Sequence, residues 1–119
     1  MEGEVARRLA DAGWVILGRN VRCGRAELDL VGVDPGPPAA LVVLEVRWRS
    51  SRRFGLPEET VDGRKLRHLR AGIGWLVEHG ALPDGTRLPA LAPRIDIVAV
   101  EPGRPGGTVV RHHRGVGET

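Results

Sequence analysis

The residues of this chain that could do chemistry are acids set two apart from other charged groups. Glu27 and Asp29 stand in "AELDLV", and Glu45 stands in "LVVLEVRWRS" ahead of Arg47 and Arg49. Side chains alternate along an extended strand, so Glu27 and Asp29 share one face of their segment, and Glu45, Arg47 and Arg49 share one face of theirs. If the two segments pair, the acids can converge. Two carboxylates with water and further oxygen ligands suit a hard divalent ion such as Mg²⁺, which can activate water against a phosphodiester. The bare spacing favours the plainer alternative, an ion network in which Asp29 and Glu45 pair with Arg47, Arg49 or Arg94. In either case a carboxylate within so apolar a strand requires a partner, a hydrogen bond or a cation.

The elements that must position these groups follow from periodicity. Val5, Leu9 and Ala12 recur at helical spacing over residues 3–12, with Gly13 placed to stop a short amphipathic helix. "WVILGRNVR" and "RAELDLVGV" read as two strands joined by a turn near Cys23 and Gly24, and "DPGPPA" reads as a loop. The third strand, residues 41–49, is apolar on both faces in its first half and is expected to be central. Leu66, Leu69, Ile73 and Leu76 mark the main helix, capped by Asp62 and running to about His79. A Pro- and Gly-rich loop then leads to a strand in "RIDIVAV" and a last one in "TVVRHHR". A helix between the third and fourth strands lets those two run parallel. The expected class is α/β, a mixed sheet of about five strands in the order α-β-β-β-α-β-β, as one domain over residues 1–119. Trp48 has the parity of Leu44 and Val46 and is expected in the core, and the tail "GVGET" is expected to be mobile.

Composition narrows the function classes. The chain has 119 residues, a formal net charge of +3 and 18 basic residues, of which Lys65 is the sole lysine. "RWRSSRRFG" places Arg47, Arg49, Arg52 and Arg53 around Trp48 and Phe54 directly after Glu45, which suggests phosphate contact. With no Tyr and one Phe, a broad stacking platform for single strands is not expected; duplex or branched substrates gripped by their backbones fit better. Cys23 is alone, so a disulfide within the chain and a zinc site are both unsupported. His112 and His113 cannot face the same way on a strand and suit a strand-end structural role. No apolar run approaches the length of a membrane span, and "MEGEVARR" lacks the apolar segment of a secretory leader, so a cytoplasmic protein without membrane partners is expected.

Six blocks, "GEVARRLADAGWVILGRNVR", "AELDLV", "LEVRWR", "FGLPEETV", "KLRHL" and "RIDIV", resemble in order and spacing the YraN-like family of small bacterial proteins. That family is similar to archaeal Holliday junction resolvases and other PD-(D/E)xK nucleases. The resemblance covers nearly the whole chain and implies a restriction-endonuclease-like fold, a nucleic-acid substrate, most simply DNA, and Mg²⁺ or Mn²⁺. It implies that Glu4, Asp29 and Glu45 hold the metal and that Asp29, Glu45 and Arg47 form the catalytic set. Glu27, Arg94 and Asp96 match supporting positions. Arg47, Arg49, Arg52, Arg53 and Lys65 would contact nucleic acid. The main departure is Arg47, where the wider nuclease group carries lysine: arginine forks onto phosphate but stays protonated and cannot act as a base. Lys65, at the start of the main helix, matches a lysine of the family and could contact phosphate or supply the missing ammonium. The readings left open are therefore a metal-dependent endonuclease, a nucleic-acid-binding module that does not cut, and a structural or protein-interaction domain. A homodimer is suggested too, since cutting a two-fold symmetric junction needs two sites.

Overall fold

A computed structural model describes residues 2–117 of the chain. Helix α1 spans Glu2–Asp11, and a five-stranded sheet is formed by β1 (Val15–Cys23), β2 (Ala26–Asp34), β3 (Ala40–Trp48), β4 (Pro93–Pro102) and β5 (Thr108–His113). A 3₁₀ turn at Pro57–Thr60 precedes helix α2, Gly63–His79. The strands lie in sequence order, β1-β2-β3-β4-β5. Only β3 and β4 are parallel, and α2 is carried in the connection between them; the other neighbours are antiparallel. The α/β class, the element order and the central place of β3 match the periodicities in the sequence.

Local chemistry explains the two helices. Acidic Glu2 and Glu4 occupy the positive end of α1, where the unpaired N–H groups of the first turn favour them, while Val5, Ala6 and Leu9 turn inward. Asp62 caps α2 by accepting the Lys65 N–H at 3.0 Å, and Gly80 ends it in the left-handed conformation, φ 63°, which a Cβ would disfavour. Leu69 and Leu76 are fully buried, with Leu66 and Ile73 packed partly against the same cluster. At Gly72 the helix comes so close to the sheet that an added Cβ would stand 2.7 Å from a Leu28 methyl.

The sheet is covered on both faces. On one side α1 packs over Leu30, Val42, Leu44, Val98 and Val100; on the other α2 packs over Leu28, Val31, Leu41, Val43 and Ile95. Leu28 and Leu30 should share a face by alternation, yet they enter opposite cores, so β2 changes its facing across Asp29. The β2–β3 ladder also stops there, its last pair being Leu30 with Leu44. The two central strands therefore part at the level of Asp29 and Glu45.

Two expectations are corrected. Trp48 is not in the core: its side of β3 faces the α1 layer, but that layer has already thinned at half-buried Val46, and Trp48 is left half exposed. The tail is not loose as far as it is described, because the Val116 N–H donates to the Ile95 carbonyl at 2.9 Å, Val116 joins the α2-side core, and Arg70 donates to the Gly117 carbonyl. Glu118 and Thr119 lie outside the described residues.

These placements rank two substitutions. Leu69→Ala should lower unfolding free energy by about 2–5 kcal/mol, because a fully buried side chain leaves a cavity. Asp62→Ala should cost about 1 kcal/mol, the loss of one cap. Urea midpoints at constant slope give both values, and a reversed order would contradict the packing described here.

Candidate functional site

Where β2 and β3 part, a side chain replaces the missing ladder. Asp29 Oδ2 accepts the Val46 N–H at 2.8 Å, so the carboxylate is fixed by the backbone of the strand that carries Glu45. Glu45 has the parity of Leu41 and Val43 and is directed to the α2 side, almost wholly buried. Its Oε2 is 3.0 Å from Arg47 Nη2, two residues along the same face, and 3.5 Å from Lys65 Nζ, which reaches over from the first turn of α2. Asp62 thus has two consequences, because the N–H it caps belongs to the residue that meets Glu45.

The electrostatics of this cluster are unbalanced. Burial is the largest influence on Glu45 and the adjacent Asp29 carboxylate the next; Lys65 and Arg47 offset them only in part, and the Glu45 carboxyl titrates at about 7. Glu45 Oε1 and Arg47 Nε are buried without a hydrogen-bond partner among the described residues. A buried carboxylate oxygen without a donor carries an unmet desolvation cost, and a cation or a proton between the acids would relieve it. Among the described residues no three His, Cys, Asp or Glu side chains are gathered closely enough to hold a metal. Mg²⁺, however, is commonly held by one or two carboxylates and completes its shell with water and substrate oxygens, which the Asp29–Glu45 pair suits.

The other expected site residues are placed elsewhere. Glu4 pairs with Arg8 one turn along α1 at 3.6 Å, on the face of the sheet opposite α2, and does not join the Asp29–Glu45 pair. Glu27 is exposed and pairs with Arg22 at 3.2 Å. Arg94 donates twice to Asp96, at 2.8 and 2.9 Å, and once to Asp34 at 2.7 Å. Asp96 is also met by His112 Nε2 at 2.7 Å and by the Gly115 N–H at 3.0 Å. Burial opposes its ionisation, but His112, Arg94 and that N–H together outweigh it and hold the carboxyl at about 2. Arg94 and Asp96 thus brace the C-terminal segment against β4. A cleft of about 530 Å³ opens at this end of the sheet between Asp34, Pro37, Arg94 and Arg114, far along β3 from Glu45. Its Arg94 is already committed to two acids.

Among the arginines after β3, Arg52 makes a bidentate pair with Glu101 at 2.8 and 2.9 Å. Arg111 bridges Glu101 to Glu58, and His113 meets Glu58 at 2.8 Å. Arg52 and then Arg111 hold Glu101 at about 2; Arg111 is the chief partner that does the same for Glu58. Sequence reasoning missed this network. Its members, in "PEET", "AVEP" and "VVRHHR", are too far apart in sequence for any local pattern to join them. Arg53 lies over the Phe54 ring at 5.5 Å, and the Arg49 N–H donates to the Val100 carbonyl at 3.2 Å.

The fold and this cluster define an α/β protein whose parted central strands present two adjacent carboxylates, one of them met by two cations. The chain belongs to the family described as "Uncharacterised protein family UPF0102", whose model matches residues 1–100. A UPF0102 protein of Beutenbergia cavernae is 43% identical over 117 residues, covering 98% of this chain and 91% of its own length. One from Nocardioides sp. is 40% identical over 113 residues, 94% and 83% of the two chains. One from Moorella thermoacetica is 42% identical over 100 residues, 83% and 75%. No helix among the described residues is long and apolar enough to cross a membrane.

Stability should depend on pH in two separate windows. Glu45 is raised in the fold from 4.5 to about 7, so between those values the folded chain holds a proton the unfolded chain has released, and stability falls as pH rises. Glu58, Asp96 and Glu101 are lowered to about 2, so their contribution is lost as pH falls from about 4.5 toward 2. Glu45→Gln should flatten the upper window and leave the acid limb unchanged in urea midpoints measured from pH 3 to 8. An unchanged upper limb would mean Glu45 is not the buried titrating group.

Proposed function

We propose that this protein is a nuclease-type, nucleic-acid-binding domain whose site at Asp29 and Glu45 takes Mg²⁺ or Mn²⁺ and acts on duplex or branched DNA. The observation that carries the reading is the Asp29–Glu45 pair at the strand parting, with the orphaned Glu45 Oε1 and two cations, Arg47 and Lys65, on the Glu45 carboxylate. The element order and this placement support a restriction-endonuclease-like core of the PD-(D/E)xK type. Asp29 and Glu45 would hold the ion, which when bound supplies a Lewis acid and a more acidic water. Ion binding would release the proton Glu45 keeps near neutrality, so affinity should rise with pH through about 7.

The protein's own cations divide the remaining work. Arg47, two residues beyond Glu45 on the same face, forks onto a phosphate and stabilises charge developing there, and its unpartnered Nε is a donor in reserve. Lys65 reaches the same carboxylate from α2 and supplies the ammonium that β3 lacks. Both cations would be available to a substrate phosphate if Glu45 held an ion. Arg49 and Arg53 extend the basic surface past the end of β3, whereas Arg52, paired to Glu101, contributes to the loop's shape. A junction substrate of two-fold symmetry would call for two copies of the chain. Arginine at position 47 favours a second reading, a site that binds nucleic acid without cutting it, because a guanidinium cannot accept a proton.

Labelled duplex, flap and four-way DNA with Mn²⁺ tests both readings. Cleavage should fall to background in Asp29→Asn, which keeps an acceptor for the Val46 N–H, and by at least about a hundredfold in Lys65→Ala. If wild type binds but does not cut while Arg47→Lys cuts, the binding-module reading stands. If no form binds DNA at low salt, both fall. A metal-induced rise in melting temperature at pH 8, absent in Glu45→Gln, reports ion binding without reference to activity.

A further inference from the structure

The start of α2 breaks a rule that α1 obeys. Helix α1 opens with Glu2 and Glu4, whereas α2 has no acid in its first turn and runs through Arg64, Lys65, Arg67, His68 and Arg70 before its first acid, Glu78. Cations beside the unpaired N–H groups of a helix start are unfavourable, so this charge detracts from stability and calls for a partner outside the fold. Two of the five are used within the chain: Lys65 meets Glu45, and Arg70 donates to the Gly117 carbonyl. Arg64, Arg67 and His68 are exposed and form no ion pair among the described residues. An added Cβ at Gly63 would stand 3.6 Å from Arg67 Nη1, so that guanidinium folds back onto the first turn. The β1–β2 turn faces this helix. Arg25, also exposed and without an ion pair, lines with His68 one cleft of about 310 Å³, together with Cys23, Ala26, Ala71 and Trp75, and no acid lines it.

We propose that the first two turns of α2 and the β1–β2 turn form a cradle for consecutive phosphates of a DNA strand, which runs from the Asp29–Glu45 site along α2 toward Arg25. The inference rests on the nucleic-acid reading above and adds the path of the ligand to it. Three constraints lead to this occupant. The cradle adjoins the carboxylates: Lys65, which meets Glu45, is followed one turn later on the same side of α2 by His68, about 4.5 Å along the axis, and Arg25 precedes Asp29 by four residues, about 13 Å along β2. Its cations are free, whereas Arg52, Arg94 and Arg111 are each committed to acids where they brace the fold. A guanidinium with no acid to satisfy forks onto phosphate oxygens. Its charge is also spread out. Arg64 and His68 are neighbours on one helix face, Arg67 turns back beside them, and Arg25 stands across the cleft, so the cations suit a chain of phosphates better than one small anion.

Equilibrium binding of the full chain to a blunt DNA duplex in EDTA, which prevents cleavage, tests this over a range of salt concentrations. Replacing Arg64 and Arg67 together by alanine should reduce the slope of log affinity against log salt by about 1.8, and Arg25→Ala should reduce it by about 0.9, the share of one phosphate contact. Arg87→Ala, in the loop after α2, removes another exposed arginine without an ion pair and should leave the slope unchanged. Arg64→Glu separates binding from folding: it should weaken DNA binding by about tenfold or more at low salt, yet raise the melting temperature by about 2 °C or more, because an acid suits a helix start. A fall in melting temperature there would assign Arg64 to the fold and overturn the cradle. Unchanged slopes in the Arg25 and Arg64 with Arg67 variants, or an equal loss in Arg87→Ala, would overturn it too while leaving the nucleic-acid reading intact. No binding by the wild type would overturn both.

Discussion

The structure depends on the cost of holding Glu45 inside the protein. A carboxylate on the α2 side of a central strand, beside a second carboxylate, is one of the least favourable arrangements a small core can contain. Its neighbours are arranged against that cost. Arg47 lies two residues along the same face, Lys65 is delivered from α2, and the capping of α2 at Asp62 fixes where Lys65 begins. Even so, burial and the Asp29 carboxylate push the Glu45 carboxyl up to about 7, and its Oε1 meets no donor group among the described residues. A fold selected only for stability would have an apolar residue here, as it does at Leu41 and Val43 on the same face of β3.

The parting of β2 from β3 is the second half of the same device. Had the ladder continued past Leu30 and Leu44, Asp29 would have been an ordinary strand residue and the Val46 N–H would have had a main-chain acceptor. Instead β2 turns its facing at Asp29, and the carboxylate takes that N–H. The acid is thereby oriented by the backbone next to Glu45, which brings two acids 16 positions apart in sequence into electrostatic contact. The rest of the fold secures this opening from a distance. Arg52, Glu101, Arg111, Glu58 and His113 tie the loop after β3 and the 3₁₀ turn to β4 and β5, which fixes the route the chain takes into α2. Arg94, Asp96 and His112 tie the far end of β4 to the C-terminal segment.

What was legible in the sequence was what repeats locally. The stripe Leu66, Leu69, Ile73 and Leu76, the cap at Asp62, the apolar run that makes β3 central and the parallel crossover can all be read within a few residues of each position. What was not legible depends on where one element stops covering another. Trp48 has the right parity for the core, and only the reach of α1 decides that the core ends at Val46. Glu4 has the right residue type for a ligand, but it sits on the other face of the sheet from the groups around Glu45, one turn from Arg8. The Glu58 and Glu101 network joins residues about half the chain apart, which no local pattern encodes. The change of facing at Asp29 was invisible for a related reason: strict alternation is what a strand pattern assumes, and a site of this kind is made by breaking it.

Lys65 and Arg47 bring two different cations to the same carboxylate. Arginine and lysine differ less in charge than in what the charge can do: the guanidinium forks and persists, while the ammonium is compact and able to give up its proton. With Arg47 on the strand and Lys65 on the helix, the two capacities are separated onto two elements that meet at one carboxylate. The strand pattern alone therefore understates the cluster, since one of its two cations lies 18 positions after the other in a different element. The constraint that survives is geometric. Whatever cation serves the carboxylate must arrive on the α2 side of β3, and the first turn of α2 is where the sheet's own covering layer brings one.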